Sequence, residues 1–184
     1  MGRHNIEIEI LSNEECASKY FVQRDVNDTN CYIWCVSSCN SSIPVYEKHY
    51  PVKRLVVDDI DLTKVLQTFP NDNGTFDLRK LPESEFSKFL IFDKNHVEVL
   101  ADYFETLDNF HDKKFVICCE AGISRSAAIA EFLAQVFSEI LNDYTLHYKH
   151  LKRYAYRKHP NMTVLNTLNE QRQRFVEILS NKIR

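Results

Sequence analysis

Cys119 is followed three residues later by Gly122, six later by Arg125 and then by Ser126, in the run Cys118-Cys119-Glu120-Ala121-Gly122-Ile123-Ser124-Arg125-Ser126. An apolar stretch, Phe115 to Cys119, ends at the cysteine, and a helical pattern begins near Arg125. A turn between strand and helix aims successive backbone N–H groups into one concavity, a nest for an anion. The positive end of the helix points to the same place. Both effects favour the thiolate of a cysteine at the loop's mouth, the form that acts as a nucleophile. Gly122 lets the backbone turn tightly and approach a ligand closely. Arg125 can hold two oxygens of a tetrahedral phosphate in its planar fork. Ser126 can hydrogen-bond the sulfur and make it a better leaving group in a second step. These residue types describe a nucleophilic phosphate site. A buried cysteine pair beside an ordinary helix start would need neither Gly122 nor Arg125. Glycine is also scarce: the other two are Gly2, at the start, and Gly74, in the turn Asn71-Asp72-Asn73-Gly74.

The elements that must position this loop read as an α/β layer fold, with short apolar runs alternating with helical patterns. Strands are expected over 6–11, where Ile6, Ile8 and Ile10 alternate with Glu7 and Glu9, and over 31–36, 55–57 and 115–119. The last is apolar on both faces, as a central parallel strand should be. Val97, Leu100, Ala101, Phe104, Leu107 and Phe110 recur at helical spacing, and Ala128, Phe132, Val136 and Ile140 mark a second helix from Arg125. Two more helices are expected over 146–157 and 163–179, separated by Pro160-Asn161. The stretch 62–94 reads as an elaborated polar loop with one short helical piece after Pro82. The expected arrangement is a single domain over 1–184 with a central, mostly parallel β-sheet flanked by α-helices.

The segment Val116-Ile117-Cys118-Cys119-Glu120-Ala121-Gly122-Ile123-Ser124-Arg125-Ser126-Ala127-Ala128 resembles the signature of cysteine-dependent protein tyrosine phosphatases, in the compact dual-specificity-like branch. The amphipathic helix before the strand fits, as does the tail Arg157-Lys158-His159-Pro160-Asn161 with a helix carrying Leu165 and Leu168. The likeness spans about residues 50–180 and is specific at the loop, looser elsewhere. It implies a dual-specificity phosphatase-like fold, a phosphocysteine intermediate, and neither metal nor other cofactor. By that resemblance Cys119 is the nucleophile, and Arg125 binds phosphate and stabilises the transition state. The amides of Glu120, Ala121, Gly122, Ile123, Ser124 and Arg125 form the cradle, and Ser126 assists departure of the thiol.

The same chemistry needs a carboxylic acid to protonate the leaving oxygen and then activate water. Asp58, Asp59 and Asp61 lie at the end of the third strand, where the family places its acid loop. Asp59 is the first choice and Asp61 the second. Asp59 stands sixty residues before Cys119, further than in many relatives, so Asp93, twenty-six residues upstream, is a third candidate. One departure is that Cys118 stands where the family usually has a histidine that orients the loop. Along a strand Cys118 should face away from Cys119.

The other cysteines are Cys16, Cys31, Cys35 and Cys39. The last three are spaced by four, but residues four apart on a strand lie about 13 Å apart, too far to share one ion. Buried small hydrophobes are the expected role. Composition is that of an ordinary globular chain, 44% hydrophobic and 27% charged. No apolar run approaches the roughly 18–20 residues of a membrane span, and no signal-peptide core opens the chain, so a cytoplasmic protein with no membrane partner is expected. The net charge of −3 divides into −10 before Thr145 and +7 from there on. The overall sign argues against a nucleic-acid partner. Glu120 inside the cradle disfavours a highly charged head group and favours a phosphoprotein monoester, phosphotyrosine first. A phosphorylated protein is therefore the expected partner. The alternatives are a phosphate-binding module that has lost turnover and an RNA 5′-phosphatase.

Overall fold

The structure, a computed structural model, describes residues 6–22, 31–38, 52–64, 66–68, 75–77, 80, 89–108, 110, 113–147, 149 and 159–183. Four strands form one all-parallel sheet: β1 (Glu7–Ser12), β2 (Cys31–Ser37), β3 (Val52–Val56) and β6 (Lys114–Cys119), in the order β1-β6-β2-β3. Registers pair Ser12 with Cys119, Cys35 with Cys118 and Ser37 with Val56. The β6 strand is thus flanked on both sides, which is why its sequence is apolar on both faces. All four carboxyl ends lie at one edge of the sheet, the edge where parallel α/β sheets bind ligands.

Residue alternation separates two cores. One face of the sheet carries Ile8, Ile10, Tyr32, Trp34, Val36, Phe115, Ile117 and Cys119 into the main core. There they meet α2 (Lys94–Thr106), α3 (Arg125–Ile140), α4 (Met162–Glu170) and α5 (Arg172–Ile183). Edge-to-face aromatic contacts join the layers, with Trp34 and Phe104 at 4.5 Å and Phe132 and Phe175 at 5.1 Å between centroids. In α3 the small side chains of Ala127, Ala128, Ala130 and Ala134 are all buried. They let a helix start directly at the sheet's edge and stay packed along its length. The opposite face holds a smaller core of Cys16, Tyr20, Cys31, Ile33, Cys35, Val116 and Cys118. It lies under α1 (Asn13–Cys16) and a π-helical turn (Ala17–Val22). Cys118 and Cys119 therefore serve different cores, as strand alternation requires.

Several expectations need correction. The helix expected over 163–179 is two helices, because Gln171 leaves helical geometry (φ −109°, ψ 16°) and its N–H bonds back to Leu168. The helix carrying Phe110 stops at Thr106, and Phe110 reaches the core from beyond it. The 62–94 stretch contains a short antiparallel pair, β4 (Leu66–Thr68) with β5 (Thr75–Asp77), bracketing the Asn71–Gly74 turn motif. That turn itself, the helical piece after Pro82, Cys39 and nearly all of the helix expected over 146–157 lie outside the described residues. Among the described residues, no helix is long and apolar enough to cross a membrane.

Candidate active site

The loop between β6 and α3 begins where the sheet ends. Gly122 adopts φ +67°, and its N–H closes a turn onto the Cys119 carbonyl at 3.2 Å. A Cβ built there would stand 2.6 Å from the Leu11 carbonyl carbon and the Ser12 nitrogen. Glycine is required twice over, for its backbone angle and for the close approach to β1. The Gly122 amide is thereby engaged within the loop, whereas the cradle expected from sequence uses it for a ligand.

Cys119 lies buried at the floor of this loop, with its Sγ 3.1 Å from Ser126 Oγ in the first turn of α3. Arg125, also buried, is held from three sides. Nη1 donates to Ser38 Oγ at 3.1 Å and to the Val57 carbonyl at 2.6 Å, and Nη2 pairs with the Glu120 carboxylate. Glu120 is fixed in turn by the Ser38 amide at 2.7 Å. Nε is buried with no hydrogen-bond partner among the described residues. A guanidinium has five N–H groups; Nε–H makes no hydrogen bond among the described residues and faces the Asp59 carboxylate at 3.8 Å, so an anion gripped by this edge of Arg125 would compete with that carboxylate.

The three clustered aspartates have distinct tasks. Asp58 is 6% exposed and clips the chain to Leu90, whose N–H donates to Asp58 Oδ2 at 2.9 Å. The Asp61 side chain is 3% exposed. It receives hydrogen bonds from Thr63 Oγ1 at 2.7 Å, the Thr63 amide at 3.1 Å and the Met162 amide at 3.0 Å. Burial pushes its carboxyl up, but the hydrogen bonds from Thr63 and Met162, with the nearby Lys64 charge, outweigh this and hold it below its ordinary value. It is an ionised tie onto the N-terminus of α4.

Asp59 differs from both. Its side chain keeps 32% of its exposure, and it is linked to the loop. Oδ1 accepts from Ser124 Oγ at 2.6 Å and from Asn161 Nδ2 at 2.9 Å, while Oδ2 faces Arg125 Nε at 3.8 Å. Anchoring Oδ1 leaves Oδ2 as the oxygen that can carry a proton to a leaving group. Asp93 is instead the N-cap of α2, accepting from the amides of Asn95 and His96 at 2.9 and 3.3 Å. Burial is the largest single influence and opposes ionisation there, but the His96 contacts and the cap hydrogen bonds together outweigh it and hold the carboxyl below its ordinary value.

The structure thus gathers Cys119, Glu120, Arg125, Ser126 and Asp59 in one place and gives Asp61 and Asp93 other work. Ala121 and Ile123 stay exposed at the loop's tip, and the Ser124 side chain serves Asp59 rather than capping α3. Two further residues were not legible as functional. Ser38, just past β2, holds both Arg125 and Glu120. Asn161 is fully buried and binds Asp59, the Ile60 carbonyl and, through its own N–H, the Ser124 carbonyl. Its place directly after Pro160 and before a helix was the available signal, and that reads as an N-cap. Comparison of the chain with models of known protein families and with curated proteins finds no match.

Proposed function

We propose that the chain is a cysteine-based phosphatase similar to the dual-specificity branch of the protein tyrosine phosphatases. Its substrates would be phosphotyrosine monoesters in proteins, with phosphoserine and phosphothreonine accepted where the pocket admits them. The observation that carries this reading is the meeting of the Cys119 thiol with its hydroxyl partner Ser126, the buried Arg125 guanidinium and the partly exposed Asp59 carboxylate at one loop. Ile123, at the loop's tip, is an exposed apolar side chain suited to contact with an aryl phosphate.

In the first step the Cys119 sulfur attacks phosphorus and the ester P–O bond breaks. Asp59 Oδ2 gives its proton to the departing oxygen, while the Arg125 guanidinium holds the spectator oxygens. In the second step Asp59 takes a proton from water, the water oxygen bonds to phosphorus, and the S–P bond breaks. The Ser126 hydroxyl donates a hydrogen bond to the sulfur as its charge returns. Inorganic phosphate leaves. The test is hydrolysis of an aryl phosphate in the presence of a chelator, comparing wild type with Cys119→Ser and Arg125→Lys. Turnover lost in both supports the mechanism.

One observation favours a second reading, a phosphate-binding module without turnover. Glu120 already neutralises Arg125, and the Gly122 amide is engaged within the loop. A folded wild type that binds phosphopeptide and releases no phosphate would select it.

A further inference from the structure

Three cysteines from three elements meet on the face of the sheet opposite the nucleophile. Cys16 ends α1, Cys35 lies in β2 and Cys118 in β6, and their sulfurs all lie within 4.8 Å of one another. Cys118 Sγ is 3.2 Å from Cys35 Sγ, the two being Cα partners across the β2–β6 ladder. Each of the three is 1% exposed or less. The Ser12–Glu15 capping box starts α1 directly at the end of β1, which sets Cys16 over the pair. This trio differs from the evenly spaced Cys31, Cys35 and Cys39, whose sequence spacing argued against a shared ion.

The separations suit coordination. Sulfurs bound to one ion at about 2.3 Å stand roughly 3.8–4.0 Å apart, and the spacing here brackets that. A single disulfide would leave the third thiol unused. The ligand set is entirely soft, with no carboxylate or imidazole in the group among the described residues. The other side chains of this small core are Leu11, Tyr20, Cys31, Ile33 and Val116, and the Cys31 sulfur is not one of the group that lies within 4.8 Å. Zinc in a closed site takes four ligands, whereas a soft monovalent d¹⁰ ion is satisfied by three thiolates.

We propose that Cys16, Cys35 and Cys118 form a buried three-thiolate site for a soft monovalent ion of the copper(I) class. Each thiol releases its proton to water as its sulfur bonds to the ion, and no oxidation state changes. Arg54, the β3 partner of Cys35, places a positive charge beside the net negative cluster. The ion clamps α1 to the ends of β2 and β6, three residues before Ser38 and one before Cys119. This inference stands apart from the phosphatase reading, since it uses the other face of the sheet.

The experiment is anaerobic titration of the full chain with copper(I) against a competing copper(I) chelator. Wild type and Cys119→Ser are run in parallel, so that the nucleophile's thiol is excluded as a ligand. Both should bind one ion per chain, develop the near-ultraviolet thiolate-to-copper band, show a sulfur-only shell of three by X-ray absorption, and melt at higher temperature. Cys16→Ala, at the end of a short helix, and Cys35→Ala should each weaken binding by about 100-fold or more. The wild-type measurements alone decide the matter if a variant fails to fold. No stoichiometric uptake, an oxygen- or nitrogen-containing shell, tighter binding of zinc than of copper(I), or a Cys35–Cys118 disulfide forming in place of uptake would each overturn the proposal.

Discussion

Ser124 Oγ donates a 2.6 Å hydrogen bond to Asp59 Oδ1, joining the loop between β6 and α3 to a segment sixty-five positions earlier in the chain. Ser124 stands at the N-cap of α3, where a serine ordinarily caps its own helix, and makes no such bond. The same Asp59 oxygen is held by Asn161. The candidate acid is therefore positioned by the loop it would serve and by the residue that starts α4.

Replacement of Asp59 follows from that geometry. Asp59→Asn should lower kcat for a phosphopeptide by about 10²–10⁴-fold, the usual contribution of a general acid. An aryl phosphate with a good leaving group should lose less. Steady-state kinetics with both substrates checks this, and equal losses on both would place the acid elsewhere.

Asp61 should behave as a structural residue. At neutral pH Asp61→Asn should cost about 1–3 kcal/mol of stability, from weakened hydrogen bonds to a charged group. Because folding lowers the Asp61 pKa, its stabilisation is fully present above the ordinary value of 3.8 and is lost as pH falls below it. Denaturant melts of wild type and variant should therefore differ most near neutrality and converge in acid.

Glu120 holds Arg125, and its charge would oppose that of the proposed substrate. Glu120→Gln keeps the shape and removes the charge, so inhibition by inorganic phosphate should tighten by roughly tenfold, the effect of one unit charge several ångströms away at intermediate permittivity. Weaker inhibition would show that the carboxylate matters more for orienting the guanidinium.

Gly122→Ala should cost about 2–4 kcal/mol, combining the left-handed backbone penalty with a Cβ forced into the β1 backbone. Thermal melting reads the loss directly. A variant as stable as wild type would mean that the loop can move away from Leu11 and Ser12.

Much of the scaffold was legible because it depends on local pattern. The alternation of Ile6, Ile8 and Ile10 and the two-faced apolarity of Phe115–Cys119 gave the strands around the loop, and the i, i+3, i+4 pattern gave α2 and α3. The loop residues were legible because glycine, arginine and cysteine have few other reasons to share that spacing. What escaped depends on long-range contact. Three nearby aspartates differ only in which groups reach them, so no local pattern separates Asp59 from Asp61. Ser38, Asn161 and the Cys16–Cys35–Cys118 cluster act through partners dozens of residues away. The break at Gln171 also escaped, since the residue itself is a good helix former.

In the proposed mechanism the phosphoryl group passes through Cys119. The most direct test is rapid acid quench of the enzyme during turnover of an aryl phosphate, followed by peptide mass spectrometry. It is best performed on Ser126→Ala, where loss of the 3.1 Å contact to the sulfur should slow the second step by about 10–100-fold and let the intermediate accumulate. The mechanism predicts a burst of released alcohol and a phosphoryl group on the Cys119 peptide. Turnover with no burst and no phosphorylated Cys119, or turnover that survives in Cys119→Ser, would contradict it.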